Sequence, residues 1–542
     1  DPGLVIDRLF TLNRTPGDDL IFLGRLVDGQ TGQGQPFGDR VWRFDNPGFT
    51  ELTRNGLVAP GTNGARFAGI DYQETLAGDA GTTGTLVLGE GDATPMNNTG
   101  FWLEDAGTLT LRVRTGSPAL GVPEAVIDQF NGPFKLAASG GYTFEGTVSG
   151  PGITPGVNNT CLWASQNGAI NLVLQQGEPV AGIPKAVVGP ILDTPVTPVR
   201  ADGSFLASTD IVVSPGTTAS ETLETIWLVT QGGKQRLVTT GDPAAGTVDG
   251  AFFGFQAPPV WLDNSDIIYA GELDAMSQNG VANGLWRIRA GMTLPLVFNG
   301  DAAPGTGGTF SRFLSLDSRA NTVLFTAQLD GTPDPQAGIA SAWLATAGQL
   351  IPVTNTDGSV PGLPGNIFIA IAETDVNASG DAVLRAFAKD DIFAPGPSTE
   401  GIWAYSSASQ RLILVALKGE PFDLSACRNG SDPRVVSSFV EISEIREDGS
   451  FSFTAAFDDG TVATFLHSFA PAQNACSGDF DCSGSVGLGD FGVFGAAFGS
   501  LVSDTNYLPA ADFDNDGDID LGDFGVFASQ FGSTAAECLP GG

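Results

Sequence analysis

Hydrophobic residues in this chain alternate with small or polar ones in short runs, and the runs recur. Leu20-Ile21-Phe22, Tyr142-Thr143-Phe144, Ile267-Ile268-Tyr269, Val323-Leu324-Phe325 and Phe451-Ser452-Phe453 each sit in such a run. Period-two alternation bounded by turn residues predicts half-buried antiparallel strands. A second kind of run carries tryptophan: Trp42, Trp102, Trp163, Trp227, Trp286, Trp343 and Trp403 follow one another at intervals of 57 to 64 residues. Each Trp belongs to a strand such as Gly284-Leu285-Trp286 or Gly401-Ile402-Trp403. Another strand follows, often closed by a Gly-x-Pro turn, as at 116–118, 177–179, 241–243 and 419–421.

Four strands in every ~60 residues, repeated along the chain, predict a β-propeller. The first strand pair begins near residues 5, 66, 124, 187, 251, 309, 366 and 434, and the Trp pair occurs seven times. A last strand at 462–469, with Phe465 where Trp would stand, brings the count to 31. That is one short of eight four-stranded blades, so eight are expected, with seven as the alternative. Residues 3–6 could supply the missing strand by folding back; otherwise an open edge would invite a strand from another chain. A Trp recurring once per blade reads as packing between blades rather than as a ring of sugar-stacking platforms. Trp261, outside the register, is the candidate exposed aromatic.

The pattern changes near the C-terminus. Leu488, Phe491, Phe494 and Phe498, and again Leu521, Phe524, Phe527 and Phe531, fall on one stripe of a helix. Two such helices can bury their stripes against each other. Each helix follows an acidic loop. In the second loop Asp512, Asp514, Asp516, Asp520 and Asp523 take positions 1, 3, 5, 9 and 12, with Gly517 at position 6 and Asp518 at position 7. This carboxylate spacing suits calcium, a hard cation that takes six to eight oxygens. Ile519, at position 8, is expected to pin the loop by a short strand contact. The first loop keeps Asp479, Asp481 and Asp490 at positions 1, 3 and 12, but has Ser483 and Ser485 at 5 and 7 and Gly487 at 9. Two calcium sites are expected, the second the stronger because charge count tunes affinity.

These paired loop–helix units resemble a type I dockerin, the calcium-dependent plug by which secreted bacterial proteins dock onto cohesin domains. The resemblance covers about 476–538 and implies a protein partner. It also implies that loop positions 10 and 11 read that partner. Polar residues are usual there, whereas this chain has Leu488-Gly489 and Leu521-Gly522, so Leu488 and Leu521 are the candidate partner-binding residues. The preceding repeats resemble propeller repeats of secreted planctomycete-type bacteria through turns at 241–243 and 300–306, which implies a fold and a bacterial extracellular setting but no activity.

The expected organisation is a propeller over 1–469, a short linker at 470–475, and the calcium module at 476–542. With 74 glycines and 34 prolines in 542 residues, turn-rich β structure fits the composition, and 42% hydrophobic residues allow a large core. The net charge is −36, of which residues 476–542 contribute −11, with eleven acids and no Lys or Arg. Nucleic acid and anionic membrane are therefore excluded as partners, and divalent cations and neutral or basic surfaces favoured. No run of 18 apolar residues suggests a membrane span. A start at Asp1 is what a processed export product would show. In that setting Asn97, Asn158, Asn377 and Asn429 are candidate glycan acceptors. Cys476 and Cys538 flank the module, and their two-fold placement favours a bridge between them; Cys476–Cys482 is the competing pair.

His467, the one histidine, cannot build a Ser–His–Asp or multi-histidine metal site alone. The adjacent acids Asp18-Asp19, Asp390-Asp391 and Asp458-Asp459 read as turn residues, and no catalytic residue is assigned. The expected function is a non-catalytic extracellular assembly protein, joined through its calcium module to another protein or head-to-tail to the next copy in a filament. The alternatives are a dockerin-anchored polysaccharide-degrading propeller and a glycan-binding propeller.

Overall fold

The computed structural model describes residues 4–14, 20–28, 34–45, 48–76, 79–105, 108–136, 141–166, 168–192, 194–197, 199–200, 202–216, 220–274, 280–332, 340–346, 349–390, 397–423, 433–467, 478, 480, 486–502, 504, 506–508, 511–513 and 517–533. They form eight antiparallel sheets, at 4–54, 67–114, 126–175, 186–239, 252–298, 309–352, 359–417 and 421–467, and two helices, α1 (Leu488–Ala497) and α2 (Leu521–Gln530). The fold is an eight-bladed β-propeller followed by a small helical module. Six blades have four strands; the fifth and seventh have five. Two compact units divide the chain, 1–303 with 307–330 and 304–306 with 331–542, the break falling in the sixth blade.

Every blade is built from strands consecutive in sequence. The strand missing from the sequence count comes from within the eighth blade, where Pro421–Asp423 pairs with Pro433–Ile442. Residues 4–6 instead belong to Leu4–Arg14 in the first blade, opposite Leu20–Asp28. A three-residue strand directly after a Gly-x-Pro turn is too short to show alternation, so it reads as turn.

Strands expected to be half-buried are buried on both faces. Tyr142–Ser149, Ile267–Leu273 and Thr322–Asp330 each bury nearly every residue. The strand Thr99–Asp105 shows why: Trp102 packs toward Leu23 and Val41 of the first blade, while its neighbours Phe101 and Leu103 pack toward Phe134 and Tyr142 of the third. Successive side chains point to opposite faces, so a blade stacked between two others needs apolar residues at consecutive positions.

In four blades the recurrent Trp is tied to the turn at the start of its own blade. The indole N–H donates to a backbone carbonyl about forty residues upstream: Trp102 to Pro60 (2.8 Å), Trp163 to Leu120 (2.9 Å), Trp286 to Ala245 (2.9 Å) and Trp403 to Pro361 (3.0 Å). In the fourth and sixth blades a hydroxyl accepts instead, Thr209 from Trp227 and Ser341 from Trp343. The glycine two residues before the Trp makes room for the ring. A Cβ on Gly100 or Gly401 would stand 2.6 Å from the indole of Trp102 or Trp403, which explains the Gly-x-Trp spelling. Trp261 lies half-buried on the short strand Val260–Trp261, with the Arg200 guanidinium 4.6 Å above its ring.

Replacing Trp286 by Phe is expected to cost about 1–3 kcal/mol, since most packing survives while the Ala245 carbonyl loses its donor. Replacement by Ala should cost about 3–5 kcal/mol by opening a cavity. Denaturant titration of the two variants checks the order.

Candidate metal centre

The helical module is held by the ends of its loops. Position-12 acids Asp490 and Asp523 are fully buried. Asp523 accepts from Asp520 N (2.8 Å) and from Phe513 N (2.6 Å), and Asp490 accepts from Gly487 N (2.7 Å). Each thereby closes its loop onto the first turn of its helix and caps orphan donors there. Asp520, the N-cap of α2, also accepts from Gly522 N (2.6 Å).

Ile519 pins the second loop as expected. Its partner is the segment after α1: Ile519 N donates to Ser500 O (3.0 Å), and Gly499 N to Ile519 O (2.7 Å). Val486, at the equivalent place in the first loop, pairs reciprocally with the segment after α2, through Ser533 O (2.9 Å) and Gly532 N (2.8 Å). Phe494 and Phe527 stack at 5.0 Å within a core that includes Val486, Ala497, Phe513 and Ile519.

The aromatic stripe does not bury as a whole. Phe494 and Phe527 are buried, but Leu488 and Leu521 are 81% and 75% exposed, and Phe491, Phe524, Phe498 and Phe531 are exposed as well. Offsets of 0, 3, 6 and 10 spread over a wide arc of the helix, and so small a core covers only its centre.

Asp518, Asp520 and Asp523 bring carboxylate oxygens to within 4.8 Å of one another. Asp512 accepts from Tyr507 and from Gly517 N (3.0 Å), and Gly517 turns the chain at φ +88°, a conformation open to glycine. Carboxylates this close repel unless a cation lies among them, and the module has no Lys or Arg of its own. Hard oxygen donors converging in this way fit a divalent cation. The one base brought alongside among the described residues is Arg411 of the seventh blade, whose Nη2 would lie 3.0 Å from a Cβ on Gly517. Asp514, Asp516, Asp479, Asp481, Ser483, Ser485, Cys476 and Cys538 lie outside the described residues, as does the linker at 470–475.

The candidate glycan acceptors hold turns. Asn97 donates to Asp92 O (3.0 Å), and Asn158, its counterpart one blade on, donates to Gly152 O (3.0 Å). Asn377 is fully buried and donates to Asp381 (3.0 Å) and Arg446 O (2.8 Å). Asn429 lies outside the described residues. Asp459 accepts from Thr461 and pairs with Arg434 at 2.9 Å, and the Thr461 bonds hold its carboxyl below the usual range. Burial pushes His467 down to about 4 and the free thiol of Cys161 up to about 12. A carboxyl pair that sequence adjacency could not reveal is Asp210 and Glu224, directly opposite across the antiparallel strands Phe205–Val213 and Glu221–Thr230.

The sequence matches the model of a family of unknown function, DUF7453, over residues 12–196 and 199–470, and the chain belongs to that family. No curated protein matches. Solved structures similar to the chain include an acylaminoacyl peptidase from Pyrococcus horikoshii (10% identity, TM-score 0.35, 75% of this chain and 51% of that one). A prolyl oligopeptidase B from Galerina marginata is similar at 10% identity and a TM-score of 0.38, over 85% of this chain and 54% of that one. The propeller domain of a trilobed protease from Pyrococcus furiosus is similar at 6% identity and a TM-score of 0.34, over 74% and 93%. The chain thus spans about half the length of the first two. Among the described residues no helix is long and apolar enough to cross a membrane.

Calorimetric titration with calcium should show binding that weakens about tenfold or more in Asp518→Asn, through loss of ligand charge. Unchanged affinity would show that Asp518 contributes its backbone carbonyl, the usual position-7 ligand, rather than its carboxylate.

Proposed function

We propose that this family member is a non-catalytic extracellular assembly protein, whose calcium-loaded, dockerin-like module joins the propeller to a second protein. The observation that carries this reading is the matched exposure of Leu488 with Leu521, Phe491 with Phe524 and Phe498 with Phe531. Apolar side chains repeated at equivalent places and left in water mark an interaction surface. Eleven acids and no base in the same module favour a partner surface that is apolar at its centre and neutral or basic at its rim. Calcium neutralises part of that charge and fixes both helix starts, so the surface takes shape when the loops are loaded.

Sedimentation velocity with calcium and with EDTA tests the homomeric form, and photo-crosslinking from position 521 in the native extracellular fraction tests the heteromeric one. Calcium-dependent association, or one calcium-dependent crosslinked partner, is expected, and Leu488→Ser with Leu521→Ser should abolish it. A calcium-loaded chain that stays monomeric and yields no such partner sinks the reading.

The second reading is a propeller that acts on a polysaccharide and is anchored by the same module. The Asp210–Glu224 pair favours it, because two facing carboxyls are the equipment of glycoside hydrolysis. Release of reducing ends from a polysaccharide panel is then expected, and should be lost in Glu224→Gln. No turnover on any polymer of the panel counts against it.

A further inference from the structure

A cleft of about 320 Å³ opens between the fourth and fifth blades, both within the first compact unit. One part of its wall is apolar and stiff, from Pro190, Pro195, Phe255 and Pro258. Facing it is a polar side, and the lining contains no Lys or Arg: Ser208, Thr209 and Asp210 come from one strand, Glu224 from the next, and Gln256 from the segment after Phe252–Phe255.

Three of these groups are not consumed by the fold. The Asp210 carboxyl has no ion-pair or hydrogen-bond partner among the described residues, although neighbouring chain desolvates one side of it and pushes its pKa up. Glu224 gives one oxygen to Phe255 N at 2.8 Å, which leaves its other oxygen to spare. Gln256 is the sharpest case: both polar atoms of its amide are shielded from solvent, and neither has a partner among the described residues. Such an amide costs roughly 1–3 kcal/mol for each bond left unmade, and a ligand that meets it recovers that loss.

We propose that this cleft binds one or two sugar residues of a neutral glycan. An anion is opposed by Asp210 and Glu224 without a compensating base. A bare cation could use the carboxylates but not the N–H donors of Gln256, nor the proline and phenylalanine wall. Sugar hydroxyls both donate and accept, so they satisfy carboxylate and amide together, and the C–H faces of the ring suit the apolar side. The volume lies at the small end of ligand sites, room for roughly one or two rings. The inference is independent of the connector reading, and it holds for a binding site whether or not turnover follows.

Saturation-transfer NMR of the full chain with cellotriose, xylotriose, mannotriose and chitotriose tests it, with glycerol as the control. At least one trisaccharide should bind. Gln256→Leu and Asp210→Asn should each weaken it about tenfold or more, the loss of one to two hydrogen bonds, one to a charged acceptor. Circular dichroism of both variants should match the wild type, with melting unchanged in Asp210→Asn and unchanged or raised in Gln256→Leu, which removes an unsatisfied amide. Binding that survives in both variants overturns the assignment, as does the absence of binding by all four sugars. So does a calcium-induced rise in melting temperature that Asp210→Asn abolishes while no sugar binds, which would make the cleft a cation site. Binding without reducing-end release leaves this inference standing and removes the polysaccharide-degrading reading.

Discussion

Four blades of the propeller share one bond, from a buried indole N–H to a backbone carbonyl in the turn at the start of the same blade. A buried N–H donor without an acceptor is costly, and a turn carbonyl provides that acceptor. Trp102, Trp163, Trp286 and Trp403 supply that donor while filling the space between sheets. One side chain thus fixes where a blade begins and how it packs on its predecessor. Gly100 and Gly401 follow from it, since the indole lies where their Cβ would be.

This economy made the architecture readable. Seven Trp residues in register give the repeat, and Phe465 continues it with a ring that still packs against Phe422 and Phe453. Burial was harder to read. Strands such as Phe451–Phe457 alternate large and small residues, which mimics a one-sided sheet, yet the small Ser452 and Thr454 are buried as well. Size alternation and polarity alternation look alike in a sequence rich in Gly, Ala and Thr. The short strand Pro421–Asp423 leaves no mark in the sequence for a different reason: three residues cannot display a period.

The functional surfaces were legible to different depths. Loop positions identify the acids of the second metal loop because their spacing is local, and the structure gathers Asp518, Asp520 and Asp523. The reciprocal pairing of Val486 and Ile519 was only half visible, since the sequence says that such a residue pins its loop but not to what. Arg411 beside Gly517 and Gln256 beside Asp210 are products of tertiary packing over long separations. No local pattern encodes them. The exposed Leu488 and Leu521 stand at positions that could be named from the loop alone, whereas their exposure depends on how little of the stripe the Phe494–Phe527 core can cover.

That crossed pairing sets an order of events in the life of the chain. The first loop is locked by residues that come after the second helix, so half of the module can be synthesised and still have nothing to close upon. Val486 must wait for Gly532 and Ser533, on the far side of the second helix, while each blade holds every strand of its own sheet within one continuous stretch of chain. The module therefore closes as a single step once the second helix has formed, and a chain clipped just after that helix would keep the propeller strands but leave the first loop without its pin.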